Sequence, residues 1–323
     1  MIYTIAAMPD AQPSLPDLAS LAPAALLEAL LPPGELAAQV QRALAEDLGA
    51  AGDVTGSAMI PADRSARAAV RVRRDGVVCG AAVAAEVLRQ AAPGTAVSFH
   101  AADGERLEAG ATFLSVEGPL RGILAAERTL LNFVGRLSGI ATLTARHAER
   151  VRGTKAVVCD TRKTTPGMRM LEKWAVRCGG GVNHRIGLFD AMLVKDNHVA
   201  GLGPKAMAEA VARAAAEARE RHALRFVEVE CDTMDQVRAI LALPKGTVDM
   251  VLLDNMHPDA IAVAVAARDA AAPGVLLEAS GGIGLEDVPS YAATGVDRIS
   301  IGALTHSASC LDVGLDIDLE TGT

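Results

Sequence analysis

The residues best suited to chemistry lie between Asp160 and His198. This stretch holds seven Lys or Arg (162, 163, 169, 173, 177, 185 and 195) against four acids, a balance of +3 in a chain of net charge −8. The remainder carries −11. A positive island in an acidic chain points to capture of a small polyanion rather than a long nucleic acid. Guanidinium is a planar fork matched to carboxylate and phosphate. Arg162 and Arg185, with Lys163 and Lys195, suit two carboxylates and a phosphate, and His184 can add a hydrogen bond. The alternative for these residues is a solvated charged face. Arg169, Lys173 and Arg177 favour that alternative, because MRMLEKWAVR has the spacing of a helix with a Met168–Leu171–Trp174–Ala175 stripe inside and charges outside. His198, in KDNH, reads as a local hydrogen-bond partner.

Two other kinds of chemistry follow. Glu230 and Asp254 each close an apolar run. Carboxylates there can bind ribose hydroxyls, a magnesium ion or a developing positive charge, or simply form salt bridges to the cationic stretch. The loops ASGGIG (279–284) and ISIGALTHSA (299–308) supply glycines after apolar runs. Glycine lets backbone N–H groups approach phosphate oxygens closely. Tight turns also use glycine, but two such loops in succession favour a phosphate cradle.

The elements that must hold these groups are legible as short β-rich runs. Ala156–Cys159, Ala191–Val194, Phe226–Val229, Met250–Leu253, Val275–Glu278 and Arg298–Ile301 recur every 20 to 35 residues, with Ala-rich helical stretches such as Lys205–Arg221 and Pro258–Ala272 between them. That alternation indicates a parallel sheet covered by helices. A full (β/α)8 barrel needs ~250 residues, more than remain here. An incomplete α/β barrel fits, with an open doubly wound sheet as the alternative. In either, ligands bind at the carboxyl ends of the strands. Gly179-Gly180-Gly181 reads as a tight exposed loop delivering His184 and Arg185.

The first half has a different grammar. Residues 1–34 hold six of the fifteen prolines and no Lys or Arg, which suggests a flexible arm with one short helix, Ala24–Leu31. Residues 35–150 read as an α+β sandwich domain. It holds a helix at Leu36–Leu48, a hairpin turning at Asp75-Gly76, a helix at Ala81–Gln90 and a long helix at Ala126–Val151 with a break at Gly139. Residues 151–310 form the barrel, and 311–323 a tail that packs back on the first domain.

Composition removes several classes. Aromatics are 2%, too few for a stacking platform on single-stranded nucleic acid. Five cysteines with no CxxC spacing disfavour a disulfide scaffold and a structural zinc site, and suit reduced thiols in the cytoplasm. The most apolar N-terminal run, Leu18–Leu27, is too short to span a bilayer. The N-terminus lacks a basic region of the secretory kind.

The chain resembles one family closely, the quinolinate phosphoribosyltransferases (nicotinate-nucleotide pyrophosphorylases, carboxylating). The resemblance rests on DTRKTTPGMRMLEKWAVRCGGGVNHRIGLFDAMLVKDNH (160–198). It is supported by EDLGAAGDVT (46–55), ERTLLNFVGRLSGIAT (127–142), EVE (228–230), LLDN (252–255), ASGGI (279–283) and SIGALTHS (300–307). It spans about residues 35–310, with Met168 and Trp174 where Leu and Tyr are expected.

That resemblance implies an N-terminal α+β sandwich domain and a C-terminal α/β barrel of about seven strands. It implies transfer of a phosphoribosyl group from 5-phosphoribosyl-1-pyrophosphate to quinolinate with decarboxylation, yielding nicotinate mononucleotide for NAD synthesis. By position, Arg162, His184, Arg185 and Lys195 would meet the quinolinate carboxylates, and Lys163 the donor's phosphates beside Thr161. Glu230 and Asp254 would face the ribose and, indirectly, a magnesium ion accompanying the donor. Ser280, Gly281, Gly282, Ile301, Gly302, Ala303 and His306 would cradle phosphate. Lys163, Lys195, Glu230 and Asp254 would be catalytic. The family implies a homodimer or larger assembly in which Arg128 reaches the partner's site, and no tightly bound organic cofactor. From the residues alone Arg128 is an ordinary helix residue. Three alternatives stand beside phosphoribosyl transfer to quinolinate: a Schiff-base aldolase with Lys195 as nucleophile, an anion-binding relative without turnover, and a related pyrophosphorylase whose rim accepts another aromatic acid.

Overall fold

The computed structural model describes residues 21–318. The chain begins with three helices, α1 (Pro23–Leu30), α2 (Glu35–Leu48) and α3 (Val54–Met59). Strand β1 (Ser65–Val72), the short β2 (Gly76–Val77), α4 (Ala81–Ala91), β3 (Ala96–Phe99), β4 (Arg106–Leu107) and β5 (Thr112–Pro119) follow, and α5 (Leu120–Arg150) closes this half. The second half runs β6 (Val157–Cys159), α6 (Arg169–Cys178), β7 (Met192–Val194), α7 (Pro204–Arg221), β8 (Val227–Cys231) and α8 (Met234–Leu241). It continues through β9 (Met250–Asp254), α9 (Pro258–Ala271), β10 (Leu276–Ser280), α10 (Val288–Ala293), β11 (Arg298–Ser300), α11 (Ala303–His306) and β12 (Val313–Asp318).

The first-half sheet is antiparallel, ordered β12-β1-β5-β3. Strand β1 alternates exposed or half-buried residues with buried Ala66, Ala68, Val70 and Val72, the pattern of a sheet with one face on a core. The tail returns as β12 and pairs with β1, Val72 opposite Val313. The hairpin expected at Asp75-Gly76 does not form. Strand β2 pairs instead with β4 as a separate ribbon, drawn off β1 because Val77 and Cys79 bond Thr142 and Ser138 of α5. Helix α5 is continuous through Gly139. A Cβ there would lie 2.1 Å from the Ser309 carbonyl oxygen, so glycine admits the chain entering β12 rather than breaking the helix.

The second half is a parallel α/β sheet, ordered β6-β11-β10-β9-β8-β7. A single parallel bridge from Cys159 to Val182 extends β6 on its other side, so six strands and this bridge account for an incomplete barrel. Register and period two then decide the site. Glu230 pairs with Leu252 and Leu252 with Glu278, while Asp254 pairs with Ser280 one step further. These residues share one face, and Asp254 and Ser280 stand a level above Glu230 and Glu278.

Residues 23–30 of the expected arm are a docked helix. Leu26, Leu27, Leu30 and Leu31 are buried, and α6 holds α1 through Trp174 Nε1 to the Pro23 carbonyl at 2.9 Å. The rest of the arm, residues 1–20, lies outside the described residues. Among the described residues, no helix is long and apolar enough to cross a membrane.

Candidate active site

Going round the sheet, the strand ends deliver the predicted residues in order. Lys195 follows β7, Glu230 lies on β8, Asp254 ends β9, Ser280 ends β10, and Ile301 and Gly302 follow β11. Thr161, Arg162 and Lys163 come after β6, next to β11.

The cationic stretch converges. Arg185 is buried, and burial together with the neighbouring Arg162 guanidinium lowers its pKa. Two neighbouring guanidinium groups oppose each other's charge. Arg162 Nε is buried with no hydrogen-bond partner. A buried donor left unpaired is costly, so an acceptor is missing there. Lys195 Nζ pairs with Glu230 Oε2, which joins the two neighbouring strand ends. Lys163 is exposed, and its Cδ would lie 2.9 Å from a Cβ on Gly302. His306 Nε2 would lie 3.1 Å from that same Cβ. Lys163 and His306 therefore flank Gly302, where Ala303 begins α11.

The other predicted groups take their places around this cavity. Gly281, at φ +112°, would carry a Cβ 2.4 Å from Asn255 Oδ1, so only glycine fits against β9's loop. Gly282 beside it also has positive φ and has open space around it. Asp254 Oδ2 accepts from Asn255 Nδ2 at 2.6 Å. Thr161 Oγ1 accepts the Lys163 N–H at 3.1 Å, which bends the loop after β6. His198 is local, as expected: its Nδ1 accepts the Lys195 N–H at 2.8 Å. Arg128 is exposed on α5 and makes no hydrogen bond or ion pair with the described residues.

His184 is buried under the rim rather than on it. Its Nδ1 accepts the Arg185 N–H at 2.7 Å and its Nε2 lies 2.8 Å from Glu228 Oε2 and 3.4 Å from Glu278 Oε1. Burial opposes a charge on the ring, but Glu278 and Glu228 outweigh it and draw its pKa up to about 9. Arg298 Nε completes the cluster 3.0 Å from Glu278 Oε2. Burial resists the Glu278 charge, yet His184 and Arg298 pull its pKa down to about 2. The His184, Glu228 and Glu278 ligand atoms lie within 4.8 Å of one another. Arg298 supplies the cation there, and direct contacts fill the space a metal would need.

Three residues expected on a solvated face turn inward. Lys173 is fully buried, with Nζ 2.5 Å from Asp160 Oδ1. Asp160 also accepts from Asn183 Nδ2 and the His184 N–H, at 2.7 and 2.8 Å. Arg169 bonds Thr164 Oγ1 and the Ile186 carbonyl, and Arg177 the Leu21 carbonyl. Helix α6 packs against α5 on one side and α1 on another, so little of it is left for solvent. The glycine run is not an exposed loop either. Gly179 and Gly181 are buried, and a Cβ on Gly179 would lie 2.4 Å from the Ala141 carbonyl oxygen of α5. Glu228, Glu278 and Arg298 were not among the expected residues. Glu228 had a signal, since EVE places it on the same strand face as Glu230.

Known proteins match this chain over most of its length. A family model described as "Quinolinate phosphoribosyl transferase, C-terminal domain" matches residues 140–316, and its N-terminal counterpart matches residues 53–138. The nicotinate-nucleotide pyrophosphorylase (carboxylating) of Mycobacterium leprae is 47% identical over 280 residues, covering 86% of this chain and 95% of that protein. A probable nicotinate-nucleotide pyrophosphorylase of Bacillus subtilis is 40% identical, covering 85% and 90%. The solved structure of the Francisella tularensis nicotinate-nucleotide pyrophosphorylase superposes with a TM-score of 0.79 at 36% identity, covering 89% of this chain and 98% of that one. Matches that span both halves at such identity leave no separate origin for either: the chain belongs to the quinolinate phosphoribosyltransferase family.

Proposed function

We infer that the chain is a decarboxylating quinolinate phosphoribosyltransferase, a pentosyltransferase of de novo NAD synthesis. The observation that carries this reading is the nearness of the Arg162 and Arg185 guanidinium groups, with Arg162 Nε buried and unpaired. A planar aromatic diacid would give that donor an acceptor and both cations a counter-charge. The ring nitrogen attacks the anomeric carbon of 5-phosphoribosyl-1-pyrophosphate as the bond to pyrophosphate breaks. Positive charge develops on the ribosyl centre, beside Glu230 and Asp254, while negative charge accumulates on the leaving group, beside Lys163. Fixed charges aimed at both favour the separation. Holding the ring by its carboxylates sets the nitrogen toward the sugar. The bond from the 2-carboxylate to the ring then breaks, carbon dioxide leaves, and the ring carbon takes a proton. Lys195, already paired to Glu230, sits where it can oppose negative charge on the ring.

A magnesium ion bound with the donor would neutralise pyrophosphate charge. The Asp254 oxygen not engaged by Asn255, and Glu230, would face it. Ser280, Gly281, Gly282, Ile301, Gly302, Ala303 and His306 form the proposed phosphate cradle, and Thr161 shapes the loop that brings Lys163 to it. A homodimer with shared sites goes with this reading, because Arg128 is exposed and bonds none of the described residues, as a group that reaches a partner's site would. A cytoplasmic location fits free thiols, four of five of them buried. The test is pyrophosphate release by the purified chain with magnesium and donor. Quinolinate is expected to support turnover and nicotinate not to; equal rates with nicotinate would overturn the substrate assignment.

A further inference from the structure

Beneath the cavity, two sets of bonds hold two sides of the site. On the side of Arg185, Arg169 ties Thr164 to the Ile186 carbonyl, and Asp160 holds the His184 amide. On the side of Lys163 the holding group comes from the other half of the chain. Arg136, on α5, places Nε and Nη2 at 3.1 and 2.7 Å from Glu172 Oε1. Its Nη1 donates to the Ala308 carbonyl at 2.9 Å and its Nη2 to the Thr305 carbonyl. Glu172, fully buried on α6, also accepts the Thr165 N–H at 3.0 Å and the Thr165 hydroxyl at 2.8 Å. The Thr305 hydroxyl in turn donates to the Lys163 carbonyl at 2.7 Å. One ion pair thus grips both segments that flank Gly302, the loop after β6 and the helix α11.

We propose that Arg136 and Glu172 are positioning residues for the phosphate end of the sugar donor. They touch no ligand themselves. They fix the backbone from which Lys163 and His306 project, and they leave Arg185 to Arg169 and Asp160. The proposal rests on the reading that this flank takes phosphate. It predicts an unequal effect that a purely stabilising pair would not produce: the pair grips both segments that carry the phosphate end, whereas quinolinate shares only the loop of Arg162 and draws Arg185 from elsewhere. The carboxylate of Glu172 accepts four bonds, and an amide there turns one acceptor into a donor facing another donor.

Steady-state kinetics of Glu172→Gln with both substrates tests this. The expected result is about a tenfold rise in KM for the donor, with a clearly smaller rise in KM for quinolinate. Should Glu172→Gln fail to fold, Thr305→Val, which removes the hydroxyl held by the Lys163 and Gly302 carbonyls, is expected to raise the donor KM several-fold in the same direction. Unchanged or equally raised KM values in the folded variant overturn the proposal. So does a double variant, Arg136→Met with Glu172→Leu, that restores both thermal stability and donor KM, since the pair would then only stabilise. Lys163→Ala separates the two levels. If it leaves the donor KM unchanged, the phosphate reading falls and the proposal with it. If it raises the donor KM while Glu172→Gln does not, only the positioning role falls.

Discussion

Lys173 and Asp160 face each other with no exposed surface, whereas Arg162 and Lys163, only two and three residues beyond Asp160, stand at the cavity with donors unspent. The barrel repeats this contrast. Glu228, Glu278, His184 and Arg298 make a sealed tier, lower by burial although Glu278 shares the register level of Glu230, and Lys195, Glu230 and Asp254 a partly open upper one. Both tiers contain the same residue types, and both contain ion pairs. What separates them is access: the Lys195 side chain is 44% exposed, whereas Glu228 and Glu278 have no exposed surface. Charges in the lower tier shape the backbone on which the upper tier stands. Those above remain open to a ligand.

The sharpest way to break the comparison is to unbalance the lower tier. Lys173→Met leaves Asp160 buried without its cation, which is expected to cost about 3–5 kcal/mol of stability. Urea denaturation reads this directly, and a midpoint equal to the parent's would show that the pair is not structural. Acid reaches the same tier through Glu278. Its folded pKa of about 2 lies below its ordinary 4.5, so its contribution is complete above 4.5 and is lost as the pH falls toward 2. Glu278→Gln is expected to be less stable at neutral pH and to show a flatter decline between pH 4.5 and 2. Parallel acid limbs for the two proteins would remove Glu278 from the account.

The upper tier should respond in activity and not in stability. Arg162→Ala removes charge-assisted contacts to substrate worth about 1.5–3 kcal/mol each, which predicts a loss of about 10- to 150-fold or more in kcat/KM for quinolinate. The urea midpoint should stay close to the parent's, because Arg162 Nε bonds nothing in the fold. A variant that loses stability in step with activity would place Arg162 with Lys173.

How much of this was readable from the chain depends on the range of the cause. The six parallel strands and the residues at their ends are set by local patterns, so runs such as Met250–Leu253 announce both strand and rim. The inward turn of Lys173 was not readable. Helical spacing in MRMLEKWAVR distinguishes one stripe from its opposite, but α6 is covered by both α5 and α1, and its charged side meets Asp160 thirteen residues earlier in sequence. Gly139 misled for the same reason: its role lies in the Ser309 carbonyl, 170 residues away. Arg136 and Glu172 are ordinary helix residues until their helices cross. The Asp75-Gly76 dipeptide is a true turn signal whose strands found other partners, β2 going to β4 and β1 to β5 and β12.

Arg128 sharpens the comparison from outside the barrel. It is an exposed cation with no hydrogen bond or ion pair to the described residues, which in one chain is indistinguishable from a solvated surface residue. If it belongs functionally to the upper tier of a neighbour, then Arg128→Ala and Arg162→Ala fail in different subunits of the same site. A mixed dimer would contain one site lacking both arginines and one site lacking neither. Random mixing makes half the dimers mixed, so activity is expected to recover to about a quarter of the parental rate from two inactive parents. Separately tagged subunits, purified for dimers carrying both tags, should recover about half. Mixed dimers that stay inactive would return Arg128 to the solvated surface and leave each barrel to close its own site.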